Sequence, residues 1–379
     1  RESALRQEIL ARWAELVDNP YPQVARWKEQ TGGKVIGCFP MHVPEELVHA
    51  AGLLPIIILG SSEPITAANR YVQPFVCALV RSNLDLALRG GLDFLDGVVF
   101  PDICDSIQCI SDIWRRHRPS PFHYHLVVPA RLSTPSGRAY LLSQFSDLKK
   151  SLEDFTGHAI TPEALRRSIA IYRENRQLLT RLYDLRRQNP GLFRTREVSN
   201  IVAASMFLPK EEHSRLLRPL LEEWAQEPPQ RNGRARLVLS GHLCDEPRGS
   251  LLDLVDEVGG MVVDDDLYVG ARYFSSQAEE GVDPLEALAQ RYIQDIPCPT
   301  KHNPANDWGD YLLEMVKRSR AQGVISLIMK FCEPHGFDYV YLKDRLAQAG
   351  VPHIMLETDH EGMPLGQIST RLQAFVETI

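Results

Sequence analysis

Short apolar runs alternate with segments of helical spacing near both ends of this chain. Residues 54–59, 96–100 and 323–329 are the clearest of these runs. Strands that are apolar almost throughout are typical of parallel sheets buried on both faces. The alternation of such strands with helices predicts an α/β fold.

The length of 379 residues exceeds what one hydrophobic core usually supports, so we expect two α/β domains, each with a Rossmann-like parallel sheet. Periodic helical sequence separates them, and a break at Pro228-Pro229 ends it. The predicted divisions are an N-terminal helical segment (1–33), a first α/β domain (34–139), a helical segment (140–230) and a second α/β domain (231–379). The runs 96–104 and 322–332 both combine a helix end, a buried strand and a cysteine, which indicates a duplicated plan.

Periodicity and turn residues also predict the individual elements. Strands are expected at 34–38, 54–59, 96–100, 124–128, 236–240, 261–263, 323–329 and 353–356. Helices are expected at 5–28, from 44 to about 52, from 77 to about 89, and at 107–116, 196–207, 210–226, 251–258, 312–320, 339–349 and 368–377, with a long one beginning at Pro162.

Charge and motif content exclude several classes of function. The net charge of −7 gives no general bias toward nucleic acid or anionic membranes, and the basic run at 115–118 fits a solvated helix face. No apolar run approaches the roughly 18 residues of a membrane helix, and the N-terminus does not resemble a secretory signal, so we expect a cytoplasmic protein. The chain contains no GxxxxGK[ST], GxGxxG, GxSxG or HExxH motif, so it should not hydrolyse ATP through a P-loop.

Seven cysteines carry the strongest chemical signal, although none of them forms a CxxC pair. In a reducing cytoplasm they are not expected to form disulfides. Cys104 and Cys332 each follow a predicted strand, where α/β sheets bind ligands, and Cys77 lies at a predicted helix start, where the helix dipole favours a thiolate. Three such thiolates in a cleft between two domains could hold an iron–sulfur cluster; alternatively, each is a small buried apolar residue.

The remaining candidates are weaker. Cys38 and Cys244 also follow predicted strands, Cys109 lies one helical turn after Asp105, and Cys298 lies in a loop between prolines. His123 and His125 share one face of a strand and fit either a zinc pair or half-exposed positions, and we expect the latter. The acidic run 264–266 fits either a cation site or a solvated loop, and we expect the loop.

A set of short stretches occurs in one order from about residue 34 to the C-terminus. They are Val43-Pro44-Glu45-Glu46-Leu47, Ala50-Ala51-Gly52-Leu53, Cys77 with Arg81-Ser82, 96–105, Val262-Val263-Asp264-Asp265, Gly270-Ala271-Arg272-Tyr273, Cys332-Glu333-Pro334, Gly350-Val351-Pro352, Leu356-Glu357 and 370–377. No single stretch is specific, but the ordered set resembles the family of benzoyl-CoA reductases and 2-hydroxyacyl-CoA dehydratases.

The resemblance implies a [4Fe–4S] cluster on three cysteines, which here match Cys77, Cys104 and Cys332. It also implies a homologous second catalytic subunit and a separate ATP-hydrolysing activator that passes on electrons from ferredoxin. The substrate would be an acyl-CoA thioester. Dehydratases expel a hydroxyl from a ketyl radical, whereas benzoyl-CoA reductases reduce the aromatic ring to a cyclic diene.

Within the family, the chain looks nearest to one of the cluster-binding catalytic subunits of an ATP-dependent benzoyl-CoA reductase. A 2-hydroxyacyl-CoA dehydratase subunit and a non-catalytic electron-relay subunit are the alternatives. Extra cysteines at 38 and 109 leave open a larger double-cubane cluster. Reduction needs a proton donor near the cluster. His42, Asp105 and Glu333 are the candidates, and each could instead be a capping or structural group.

Overall fold

The computed structural model describes residues 3–230, 233–242, 248–360 and 364–379. It is an α/β protein with two four-stranded parallel sheets. The first half contains α1 (Ala4–Asp18), α2 (Pro20–Thr31), β1 (Val35–Cys38), α3 (Glu45–Ala50), β2 (Leu54–Ile57), α4 (Ala78–Leu88), β3 (Gly97–Asp102), α5 (Asp105–His117) and β4 (Phe122–Val127). Four helices follow: α6 (Pro135–Thr156), α7 (Pro162–Gln188), α8 (Thr195–Ser205) and α9 (Lys210–Trp224).

The second half contains β5 (Ala235–Gly241), α10 (Arg248–Glu257), β6 (Gly260–Asp265), α11 (Ala271–Phe274), α12 (Pro284–Gln294), α13 (Trp308–Ser319), β7 (Gly323–Met329), α14 (Glu333–Gln348), β8 (His353–Thr358) and α15 (Leu365–Glu377). Short 3-10 turns occupy Ala68–Arg70 and Pro190–Leu192. Within the described ranges, no helix is both long enough and apolar enough to cross a membrane.

The two sheets share one strand order. The first runs β2-β1-β3-β4 and the second runs β6-β5-β7-β8, and all neighbouring strands are parallel. The chain therefore reverses its direction of winding after β2 in the first sheet and after β6 in the second. Such reversals open a crevice at the carboxyl ends of the strands, where α/β proteins bind ligands. The predicted α/β fold and the repeated plan are confirmed.

The long helix α7 connects the two halves. It packs against α3 of the first half, α9 of the helical segment and β6 of the second half. One hydrophobic core runs from the first sheet through the central helices to α11 and α12. Two smaller cores pack around the second sheet. Met329, at the carboxyl end of β7, belongs to the large core, so this strand end of the second sheet packs on the same apolar body as the first sheet.

The helical pattern over 5–28 is formed by two helices. Helix α1 ends at Asp18 and α2 begins at Pro20, because proline is accepted in a first helical turn but removes a hydrogen bond from a helix interior. The short helix α11 and the amphipathic helix α12 were not predicted from the sequence. The basic run at the end of α5 is largely exposed, as predicted.

Candidate functional site

Each cysteine of the predicted trio is the N-cap residue of a helix. Cys77 precedes α4, Cys104 precedes α5 and Cys332 precedes α14. The first turn of a helix presents backbone N–H groups without helical partners, and the helix dipole adds positive potential there. The helix ends therefore contribute a positive potential at all three cysteines, and this contribution stabilises the thiolate form.

Tight strand-to-helix turns position two of these cysteines. Only Ile103 and Cys104 separate β3 from α5, and Lys330, Phe331 and Cys332 separate β7 from α14. Phe331 adopts a φ of 65°, a left-handed conformation that lets the chain reverse within so few residues. Pro334 in the first turn of α14 then fixes the start of that helix.

The trio packs on the core that the two halves share. Cys77 is buried, whereas Cys104 and Cys332 are half-buried against the same core. Helices α4 and α5 pack together, and Cys332 is supplied by the second half. Across the described ranges, no three His, Cys, Asp or Glu side chains are grouped so that they could hold a single metal ion.

Burial raises the pKa of the Cys104 thiol. The backbone N–H groups of Ile107 and Ser106 oppose that effect, and the carboxylates of Asp105 and Asp102 add to it. The free thiol therefore holds its proton at neutral pH. A metal that binds this sulfur must displace the proton, so metal binding at Cys104 should be favoured by higher pH.

Cys332 has a close polar neighbour in His335. The Cys332 Sγ and His335 Nδ1 atoms are 3.3 Å apart. The ring of His335 is buried against the edges of His242 and Trp308, with centroid separations of 5.2 and 5.5 Å. Burial, followed by the charges of His242 and Arg272, lowers the pKa of His335 well below its ordinary value, so the ring is neutral.

The other cysteines occupy different environments. Cys38 ends β1 between Ile57 and Val99, and burial, reinforced by the charge of Glu45, raises the pKa of its thiol far above the ordinary value. Cys109 is exposed on α5. Cys298 is buried in the loop between α12 and α13, where its Sγ lies 3.9 Å from Met41 Sδ, so the predicted loop position is confirmed. Cys244 lies outside the described residues.

His42 borders a small cavity of about 30 Å³ between the two halves. Its Nε2, the hydroxyl of Tyr292 and Nη2 of Arg272 are buried in the described structure without a hydrogen-bond partner, and all three residues line that cavity. The cavity has room for a water molecule with several polar neighbours. Burial and the nearby cations Lys301, Arg272 and Arg291 lower the pKa of His42 well below its ordinary value, so His42 is neutral.

The two other candidate proton donors are exposed. Asp105 is the first residue of α5 and Glu333 is the first residue of α14, where a carboxylate complements the helix dipole. Both are adjacent in sequence to a cysteine of the trio. Neither carboxylate is removed from water in the way that His42 is.

The acidic run 264–266 is buried and not the solvated loop that its composition predicts. Strand β6 extends through Asp265, and all three carboxylates have donors that compensate for the loss of water. Asp264 pairs with Arg187 at 2.9 Å and with Arg318 at 3.1 Å. Asp266 accepts hydrogen bonds from Ser240, Trp308 and the Gly241 N–H.

Asp265, at the end of β6, binds two side chains of α7. Tyr183 donates to its Oδ2 at 2.7 Å and Arg186 does so at 3.0 Å. Burial raises the pKa of Asp265, and the charge of Arg186 and the hydrogen bond from Tyr183 oppose this effect. Tyr183 and Arg186 lie in the predicted helical segment, and no sequence pattern indicated that they would meet the acidic run.

A second buried ionic contact joins α7 to the first half. Arg176 Nη1 lies 2.6 Å from Glu46 Oε1. Burial alone would raise the pKa of Glu46, but the charges of Arg176 and Arg291 outweigh it and lower the pKa to about 2. Beside it, Tyr273 of α11 donates to Glu45 at 3.0 Å, and the Lys210 ammonium donates to the Tyr273 hydroxyl at 2.6 Å.

His123 and His125 are half-buried on β4, and each has its own neighbour. His123 Nε2 lies 3.0 Å from Ser111 Oγ, and His125 Nε2 lies 3.4 Å from Asp102 Oδ2. The predicted half-exposed strand positions are confirmed.

The chain is similar over nearly its whole length to subunits of acyl-CoA dehydratases and of a benzoyl-CoA reductase. Residues 40–379 match the family model described as 2-hydroxyglutaryl-CoA dehydratase, D-component. The (R)-phenyllactyl-CoA dehydratase beta subunit of Clostridium sporogenes is 31% identical over 366 residues, which cover 96% of this chain and 97% of that protein. A benzoyl-CoA reductase subunit of Thauera aromatica is 30% identical, with 98% of both chains covered. The beta subunit of (R)-2-hydroxyglutaryl-CoA dehydratase from Acidaminococcus fermentans is 28% identical, with 98% of this chain and 99% of that protein covered.

Proposed function

Because the chain belongs to the 2-hydroxyglutaryl-CoA dehydratase D-component family, we propose that it is an iron–sulfur subunit of an enzyme that reduces an acyl-CoA thioester. One observation carries the proposal: Cys77, Cys104 and Cys332 are all helix N-caps, and they come from both halves of the chain. Family membership supports the acyl-CoA chemistry, and the cysteine positions support the proposed cluster.

The donor set fits a [4Fe–4S] cluster. Thiolates are the usual protein ligands of iron–sulfur clusters, and three of them would leave one iron for a ligand from outside the protein. A cubane also spaces its ligating sulfur atoms more widely than a single ion does. The three helix dipoles and the shared apolar core would favour the thiolates and limit the access of water.

When bound, the cluster would supply a low-potential electron to the thioester. The residues of the chain have other tasks. The first turns of α4, α5 and α14 begin directly after the three cysteines, and in α5 the backbone N–H groups of Ser106 and Ile107 lie close to the Cys104 sulfur. His42 is neutral, and its unpartnered Nε2 is buried beside the cavity that Arg272 and Tyr292 also line, so the ring can relay a proton: it takes one up from a water there, releases one toward the substrate and is neutral again afterwards. We therefore rank His42 above Asp105 and Glu333 as the proton donor.

For the reaction itself, we propose ring reduction of benzoyl-CoA by an ATP-dependent reductase. The likeness to the benzoyl-CoA reductase subunit of Thauera aromatica, which extends over 98% of both chains, supports this choice. A 2-hydroxyacyl-CoA dehydratase is the second candidate, because the phenyllactyl-CoA dehydratase subunit is equally similar. In a third candidate role, the chain relays electrons while a partner subunit binds the substrate.

The working unit would be a hetero-oligomer. The relatives are named as single subunits of their enzymes, which supports a partner subunit for this chain, and we propose that this partner is homologous to it. The sequence carries no P-loop motif, so a separate activator would hydrolyse ATP and pass on electrons from a ferredoxin-type donor.

The test is turnover by the complex purified without oxygen and supplied with ATP, activator and reductant. Consumption of benzoyl-CoA with formation of a cyclic diene is the expected result. Dehydration of phenyllactyl-CoA without ring reduction would assign the second candidate. An acyl-CoA bound only in the partner subunit would assign the relay role, and inactivity toward both thioesters would contradict the proposal.

A further inference from the structure

We infer that His335 donates a hydrogen bond from Nδ1 to the sulfur of Cys332 and thereby raises the reduction potential of the cluster that Cys332 would hold. The inference rests on the proposed function, because it requires Cys332 to be a thiolate ligand. It assigns a positioning role to a residue outside the ligand set.

The start of α14 creates the contact. Cys332 is the N-cap and His335 is the third residue of the helix. A side chain at that position reaches back to the N-cap, as glutamate does in a capping box. Here the ring nitrogen reaches the side chain of the N-cap residue, and the Nδ1–Sγ distance is 3.3 Å.

The direction of the hydrogen bond follows from the chemistry of the partners. A sulfur that ligates iron carries no proton, so the ring must be the donor. A neutral ring with its proton on Nδ1 leaves Nε2 unprotonated. Nε2 is buried and meets no hydrogen-bond partner in the described part of the chain, which an unprotonated nitrogen tolerates better than an N–H donor would.

Neighbouring side chains hold the ring in this orientation. Trp308 and His242 contact it edge-on, and Trp308 Nε1 is itself fixed by a 2.7 Å hydrogen bond to Asp266. His335 has only 3% of its surface exposed, so water cannot readily replace the ring as donor. The donor is therefore pre-positioned by its neighbours in the second half of the chain.

The other two cysteine-capped helices lack a comparable side chain. The third residue of α4 is Val80 and the third residue of α5 is Ile107, and both are buried and apolar. Neither of these two side chains carries a donor for the sulfur of its N-cap; at Cys104 the donors are the backbone N–H groups of Ser106 and Ile107. His335 thus distinguishes Cys332 from Cys77 and Cys104.

The sign of the effect follows from electrostatics. Reduction adds negative charge, part of which spreads onto the ligating sulfur atoms. An N–H directed at one of those atoms stabilises the reduced form more than the oxidised form, so it makes the potential less negative.

The experiment compares His335→Leu, which removes the donor, with His335→Gln, which keeps an N–H group. Ile107→Val is the matched control at the equivalent position of α5. Each variant is purified with its partner subunit without oxygen, its iron is measured, and its midpoint potential is determined by a redox titration followed by electron paramagnetic resonance. We expect a more negative potential for His335→Leu, a smaller shift for His335→Gln and no shift for Ile107→Val.

An iron-loaded His335→Leu protein with the wild-type potential would overturn the inference and leave the proposed function intact, whereas wild-type protein without iron would overturn the proposed function. If the leucine variant does not fold, pulsed electron paramagnetic resonance on wild-type protein with ¹⁵N-labelled histidine tests the inference instead. A nitrogen coupling to the reduced cluster that disappears in His335→Gln supports the inference, and an absent or persistent coupling contradicts it.

Discussion

Cys104 and Cys332 occupy equivalent positions in the two halves of the chain. Each is the N-cap of the helix that follows the third strand of its sheet, and the two sheets have the same strand order. Cys77 completes the trio from the helix after β2. A duplicated fold thus supplies two matching thiols, and the first half supplies the third.

Replacing Cys77, Cys104 or Cys332 with serine should strip iron from the protein, because a hard hydroxyl replaces a soft thiolate. Cys298→Ser is the matched control. Cys298 is also buried, but it lies in the loop between α12 and α13, where its sulfur contacts Met41 and Thr300. Iron analysis of anaerobically purified variants measures the effect. Full iron in the Cys104 or Cys332 variant, combined with loss in Cys38→Ser or Cys109→Ser, would place the ligands within the first half alone.

Protein prepared without oxygen should be brown and contain about four iron and four sulfide per chain, the stoichiometry of one cubane. Colorimetric iron and sulfide assays, normalised to protein by amino-acid analysis, check this. About eight iron per chain would favour a double-cubane cluster. Zinc without iron in protein from strictly anoxic cells would contradict the assignment.

His42→Gln should lower turnover by about 10²–10⁴-fold while the iron content stays unchanged, because general acid catalysis typically contributes that much. Asp105→Asn and Glu333→Gln should stay near wild type, since both carboxylates are exposed. Steady-state turnover of the complex and iron analysis on the same samples provide the comparison. Loss of turnover in the Glu333 or Asp105 variant, with an active His42 variant, would reverse the ranking.

Arg186→Met should destabilise the protein by about 3–5 kcal/mol, because it leaves the buried Asp265 carboxylate without its cation. Arg166→Met is the control: Arg166 forms an exposed pair with Glu163, and such pairs contribute less than about 1 kcal/mol. Urea unfolding followed by tryptophan fluorescence measures both. Equal unfolding midpoints for the two variants would show that the Asp265 contact is not stabilising.

Acid should destabilise the protein partly through His213. Burial, followed by the charge of Lys210, lowers the pKa of His213 from 6.5 to about 3. Between these values the unfolded chain binds a proton that the folded chain rejects, so stability falls as the pH drops from about 6.5 toward 3. The slope for one group is at most about 1.4 kcal/mol per pH unit.

His213→Gln should therefore show a shallower loss of stability over that pH window than wild type. His158→Gln, a change at an exposed histidine, serves as the control. Urea midpoints at several pH values between about 4 and 7 give the comparison. Parallel pH profiles for wild type and His213→Gln would contradict the shift.

The strands and the cysteine positions could be predicted because both depend on local sequence. The apolar runs at 54–59 and 323–329 strongly favour one structure, a parallel strand that is buried on both faces. The fate of the acidic run 264–266 could not be predicted, since its partners Arg186 and Arg187 are nearly 80 residues away. The contact between His335 and Cys332 could not be predicted because the sequence pattern predicted that α14 starts at 339. In the structure α14 begins at Glu333, so His335 lies in its first turn.

If the chain transfers electrons as proposed, the contacts of helix α7 have a mechanical consequence. Arg176 ties it to Glu46 in the first half, and Tyr183 and Arg186 tie it to Asp265 in the second. Opening the gap between the halves would break two buried ion pairs, so we expect the cysteine-bearing turns to keep their spacing when charge arrives or leaves. Because these turns would hardly move, the reorganisation energy of each electron transfer would be small. The transfer would then need little thermal activation.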